Sequence, residues 1–134
     1  MFVIEAHTAD VRLRVHAPTR EALFVEAMRG LYGVMQAVPA AEARPVSREL
    51  TIDSINTTGL IVDFLNEILM RLQTSRELFT EAVFSALTDT DAVCTVTGLA
   101  PAVVEEDVKA VTYHEADVRQ EPDGSWTTVL VLDI

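Results

Sequence analysis

The sequence predicts a two-layer α+β fold, with a mainly antiparallel sheet packed against two helices. Three observations carry this. Two segments, from Thr19 to Pro39 and from Thr57 to Leu72, space their apolar residues as one face of a helix does. At least five further segments alternate apolar and polar residues as strands do. Two helices are too few to cover both faces of a parallel sheet, so antiparallel strands with one solvated face are the economical arrangement. The 134 residues suit a single domain, 1–134, with its own hydrophobic core.

Taken in order, residues 2–6 read as a short strand and residues 11–17 as a longer one, Val11-Arg12-Leu13-Arg14-Val15 at its centre. The polar His7-Thr8-Ala9-Asp10 links them. Thr19 is placed to cap the first helix, and Glu21 sits in its first turn, where a carboxylate meets the positive end of the helix dipole. Phe24, Met28, Leu31 and Met35 form the apolar stripe, widened by Leu23, Ala27 and Val34. Pro39 is expected to end this helix, residues 40–45 to form a loop and residues 46–53 a strand. Thr57 or Thr58 is expected to cap the second helix. Its buried stripe is Leu60, Ile61, Phe64, Leu65, Ile68, Leu69 and Leu72, with Asp63, Glu67 and Arg71 along the other side. Strands follow at 78–88, 92–100, 108–120 and 125–134. Thr88-Asp89-Thr90-Asp91 and Glu121-Pro122-Asp123-Gly124 serve as turns. The predicted core includes Phe24, Leu31, Phe64, Leu65, Leu72, Cys94, Val96, Val129 and Val131.

Composition narrows the function classes. The net charge of −11 argues against broad binding of nucleic acid through a positive surface. It suits a site for a hard cation. Disorder is excluded by an apolar fraction of 49 per cent. A lone cysteine cannot form an internal disulfide, and Cys94, inside an apolar run, reads as an inert core thiol. No stretch approaches the roughly 20 apolar residues needed to span a bilayer, and nothing resembles a signal peptide. A cytoplasmic, reducing setting with no membrane partner is expected.

Familiar catalytic patterns are missing. There is no GxxxxGK[ST], no GxSxG and no HExxH. His7, His16 and His114 lack zinc-like spacing, and a single cysteine cannot supply a Cys-rich zinc site. Nothing beside Cys94 is arranged to lower a thiol pKa. What remains is a set of polar residues in strand-like surroundings: His7, Thr8 and Asp10; Lys109, Thr112, Tyr113 and His114; and Asp133. Each also has a structural reading. Asp10 suits a turn cap. His7 and His114 suit hydrogen-bonded positions at a sheet end, and Lys109 a solvated edge.

Taken together, His7-Thr8-Ala9-Asp10, Leu65-Asn66-Glu67, Lys109-Ala110-Val111-Thr112-Tyr113-His114 and the closing Leu132-Asp133-Ile134 resemble the archease family. The resemblance covers essentially the whole chain and keeps the order of elements. It implies a small cytosolic protein that is not an enzyme on its own. Such proteins assist the tRNA-splicing RNA ligase, which uses GTP to join 2′,3′-cyclic phosphate or 3′-phosphate ends to 5′-hydroxyl ends. They promote guanylylation of the ligase's active-site histidine and allow multiple turnover, so RNA is reached through the ligase. The resemblance also implies a bound metal, Ca²⁺, or in the cell Mg²⁺ or another divalent ion.

Carried over by motif, Asp10 and Asp133 are the metal carboxylates, and Ile134 ligates through its carbonyl or terminal carboxylate. Lys109 contacts the partner or nucleotide. His7, Thr8 and His114 stand behind these groups or are structural. The N-terminal link and the last strand are then expected side by side. This chain departs from the family pattern at Arg12, in the compact 99–107 segment, and at Gln73, where an acid often stands. Two alternatives are a stand-alone metal-dependent phosphoesterase or nuclease, and a chaperone-like binding module. The first wants more carboxylates and usually two metals. The second has no need of Asp133 at the last strand's end.

Overall fold

Alternating segments become two antiparallel sheets, and the two helical stripes turn toward them. The computed structural model describes residues 1–6 and 10–134. The elements are β1 (Phe2–Ala6), β2 (Asp10–Ala17), α1 (Arg20–Met35), β3 (Val38–Asp53), α2 (Thr57–Ser75), β4 (Leu78–Leu87), β5 (Asp91–Val103), β6 (Ala110–Thr112), β7 (Arg119–Gln120) and β8 (Trp126–Asp133). One sheet has the order β1-β2-β8-β6, with β7 also pairing β8; the other is β3-β5-β4. Every described pairing is antiparallel. The predicted two-layer α+β fold is the observed one.

A contiguous apolar core joins both sheets and both helices. Leu13 and Val15 enter it from β2, Phe24 and Leu31 from α1, Phe64, Leu65 and Leu72 from α2, and Cys94 and Val96 from β5. Phe64 packs against Phe24 and Phe84 with ring centroids 5.5 and 6.0 Å apart. Burial pushes the Cys94 thiol up to about 11, so it is a poor nucleophile at neutral pH.

Local signals account for the helix ends in part. Thr19 caps α1 as expected, accepting the Ala22 N–H at 3.1 Å. The helix stops at Met35, ahead of Pro39, because Gln36 turns left-handed (φ 50°) and its N–H caps the Gly33 carbonyl. α2 is capped by Asn56, not by Thr57 or Thr58; its side-chain oxygen accepts the Gly59 N–H at 2.8 Å. The helix thus begins one residue earlier than a threonine cap allows.

Three strand expectations also change. Residues 40–45 belong to β3, which runs unbroken from Val38 to Asp53 with a register shift between Pro39 and Arg44. β3 is an edge strand, so prolines are tolerated there and the irregularity absorbs the extra residues. The expected strand at 108–120 is interrupted. Glu115 adopts φ 60° and turns the chain, leaving only β6 and β7 to pair with β8. In β8, Leu130 and Leu132 enter the shared core, Val131 is buried outside that cluster, and Val129 is half-buried. This corrects the placement of Val129 in the core. Apolar residues occupy both parities of β8, so alternation alone does not say which set faces inward.

Candidate functional site

The alternation that builds β2 and β8 also sets their register. Val11 faces Leu132, Leu13 faces Leu130, and Asp10 falls opposite Asp133. Directly opposed residues project from the same face of a sheet. On the other side of β8, Ala110 faces Asp133. The Lys109 N–H donates to the Asp133 carbonyl at 2.7 Å. One sheet end therefore gathers Asp10, Asp133 and Lys109 from three separate parts of the chain. Asp133 and Lys109 are exposed, and Asp10 is half-buried. Lys109 is the only lysine of the chain.

The remaining predicted residues are more scattered. His7 and Thr8 lie outside the described residues. His114 is exposed in the turn after β6, its N–H donating to Thr112 Oγ1 at 3.2 Å. Ile134 is half-exposed and lines a shallow cleft of about 340 Å³ with Ile4, Val11 and Val34. A larger cleft of about 580 Å³, between the end of α1 and β4, is lined by Tyr32, Val38, Leu78 and Phe79. It contains none of the predicted site residues.

The calcium expectation is overturned. Among the described residues, no group of three or more His, Cys, Asp or Glu side chains is placed to hold a metal ion. Asp10 and Asp133 face each other, but the Asp133 carbonyl already accepts the Lys109 N–H. Ca²⁺ takes six to eight oxygen ligands and Mg²⁺ demands near-octahedral geometry. Two carboxylates and a half-exposed isoleucine do not make such a cage. What the arrangement provides is two carboxylates on opposed strand positions and an exposed cationic side chain at the same sheet end.

Sequence reasoning named Asn66 only as part of Leu65-Asn66-Glu67 and assigned it no role. It lies on α2 among Leu65, Ile68 and Leu69, and its amide reaches the backbone of Val111, close to Lys109. The available signal was a lone amide bordering an apolar helical stripe. Asp63, expected on the helix's outer side, accepts the Tyr113 hydroxyl.

Both tyrosines titrate high. Burial raises Tyr32, whose hydroxyl also accepts the Phe79 N–H at 3.2 Å. The hydrogen bond to Asp63 raises Tyr113, with burial adding to it. The folded protein thus holds phenolic protons that the unfolded chain releases. That contribution to stability is intact below the ordinary value of 10.0 and is lost as pH climbs through the raised values. Ultraviolet titration of native protein at pH 10 should show far less tyrosinate than the unfolded chain. Half-ionisation of the native tyrosines at that pH would contradict both environments.

The fold defines a class: small α+β proteins with two antiparallel sheets around two helices, here with a charged sheet end. Comparison names the family. Residues 2–134 match the archease protein family (MTH1598/TM1083), and the chain belongs to it. It is 32% identical to the archease of Methanopyrus kandleri over 96% of this chain and 95% of that one. It is 30% identical to that of Thermococcus gammatolerans, over 96% and 94% respectively. The solution structure of Methanobacterium thermoautotrophicum protein 1598 superimposes with a TM-score of 0.66 at 26% identity, covering 99% of this chain and 98% of that one. A Thermotoga maritima archease, described as a possible chaperone, shares the fold with a TM-score of 0.70 at 20% identity, covering 100% and 98%.

Proposed function

We propose that this protein is an accessory activator of the tRNA-splicing RNA ligase. It promotes GTP-dependent guanylylation of the ligase and supports multiple turnover in the cytoplasm, without transferring nucleotide itself. Membership of the archease family supports this choice of partner. The observation that carries the reading is the convergence of Asp10, Asp133 and Lys109 at one sheet end. Asp10 and Asp133 occupy opposed strand positions, so a basic group of the ligase seated beside them meets two carboxylates. Lys109 offers a compact positive charge to the nucleotide polyphosphate or to an acidic ligase residue. Fixing such groups matters because nucleotidyl transfer depends steeply on geometry and local charge. The charge of −11 supports a protein partner, with RNA met through the ligase. Among the described residues, no helix is long and apolar enough to cross a membrane.

The test is guanylylation of the ligase with GTP and the ligase's own divalent metal, with and without this protein. Wild-type protein should raise both the rate and the number of turnovers. Lys109→Ala should lower stimulation roughly tenfold, the equivalent of one charged hydrogen bond, with unchanged unfolding because its side chain is exposed. The Asp10→Asn, Asp133→Asn double variant should also stimulate poorly. Wild-type stimulation by both variants would remove this sheet end from the mechanism. Phosphodiester hydrolysis by this protein without ligase would replace the activator reading with an enzymatic one.

A further inference from the structure

The segment that carries Lys109 has almost no sheet of its own. Between Val108 and Val118, only Ala110–Thr112 pairs with β8. What holds the segment is α2. Its polar side chains meet the segment in antiparallel order. Thr58 Oγ1 accepts the Val118 N–H at 2.9 Å, and the Asp63 carboxylate accepts the Tyr113 hydroxyl. Asn66 Oδ1 accepts the Val111 N–H at 2.9 Å while its Nδ2 donates to the Val111 carbonyl at 2.8 Å. Gln73 Nε2 donates to the Val108 carbonyl at 2.8 Å.

The Asn66 pair reproduces what a neighbouring antiparallel strand does at a single residue, accepting its N–H and donating to its carbonyl. Val111 is 3% exposed, so without Asn66 both backbone groups are left beside the core with no partner. Gln73 acts through its amide hydrogen, which a carboxylate lacks. An acid at this position cannot hold the Val108 carbonyl in the same way. The two clamps bracket Lys109 in sequence, and its own N–H is fixed on Asp133. Removing either clamp frees the chain on one side of Lys109 while leaving the β2–β8 pairing intact.

We propose that Asn66 and Gln73 are positioning residues that hold Lys109 beside Asp133, so that α2 sets the geometry of the sheet end that acts on the ligase. The inference rests on the activator reading above. Asn66→Leu removes both hydrogen bonds to Val111 with little change in size, and Gln73→Glu removes the donor to Val108. Gln73 is exposed, so its variant tests the idea even where the Asn66 variant folds poorly.

Amide hydrogen exchange and ligase stimulation are measured together, at a temperature where each variant is fully folded. Exchange at Lys109 and Val111 should accelerate about fivefold in Asn66→Leu, the equivalent of one lost hydrogen bond. Exchange at Cys94 and Val96, on β5, should stay at the wild-type rate. In both variants, stimulation at saturating activator should fall by a similar factor, which a merely structural role would not produce in fully folded protein. Unchanged exchange at Lys109 would overturn the clamp. Faster exchange with wild-type stimulation would overturn its functional role. If wild-type protein itself fails to stimulate the ligase, the activator reading fails and the functional half of this proposal falls with it, while exchange at Lys109 still decides the clamp.

Discussion

Gly98→Ala should destabilise the protein by about 3 kcal/mol, the upper part of the range for forcing extra volume into a packed site. Gly98 lies on the central strand β5, paired with Val46 of β3 and Phe79 of β4. A methyl group there falls onto the Leu78 carbonyl oxygen and lies 2.7 Å from the Phe79 Cα. These obstacles are backbone, so no side-chain rotation relieves them. The β4 register shifts just beyond, between Phe79 and Glu81, where the strand already departs from regular pairing. Chemical denaturation measures the loss. A change below about 0.5 kcal/mol would mean that β4 moves aside easily and that the close approach is not needed for stability.

Phe64→Ala should cost about 4 kcal/mol, within the range for emptying a fully buried aromatic site. Phe64 is 0% exposed and tilts against Phe24 and Phe84, which themselves pack edge-on with centroids 5.6 Å apart. The cavity opens where α1, α2 and β4 meet, and its walls come from three elements, so it collapses poorly. The denaturation midpoint should fall with an unchanged slope. A loss under about 1 kcal/mol would show that the neighbouring rings close the gap. Neither variant should alter ligase stimulation where it is fully folded. That separates both from Lys109→Ala, which should do the reverse.

Much of the fold was legible because its signals are local. The Phe24-Met28-Leu31-Met35 stripe, the Thr19 cap and the turn residues between strands act within a few positions of one another. The errors fell where a neighbour distant in sequence decides the outcome. Residues 40–45 looked like a loop because of their flanking prolines, yet an edge strand accommodates prolines. Val129 looked as apolar as Leu130, and only the packing of β8 against the helices selects the leucine. Asn56 and Thr57 are both competent caps, and the first helical turn chose between them.

The site divides in the same way. By itself, the sequence determined the two helices, most of the strands and the residue types that mark the archease family, because periodicity and short motifs are written along the chain. Tertiary structure decided that Asp10 faces Asp133 across a strand pair, that no cage of ligands forms around them among the described residues, and that Asn66 and Gln73 of α2 hold the segment carrying Lys109. The physical reason is that register and the pairing of buried backbone groups are settled between segments far apart in sequence. A polar side chain does not announce which distant carbonyl it will meet until the core has brought the two together.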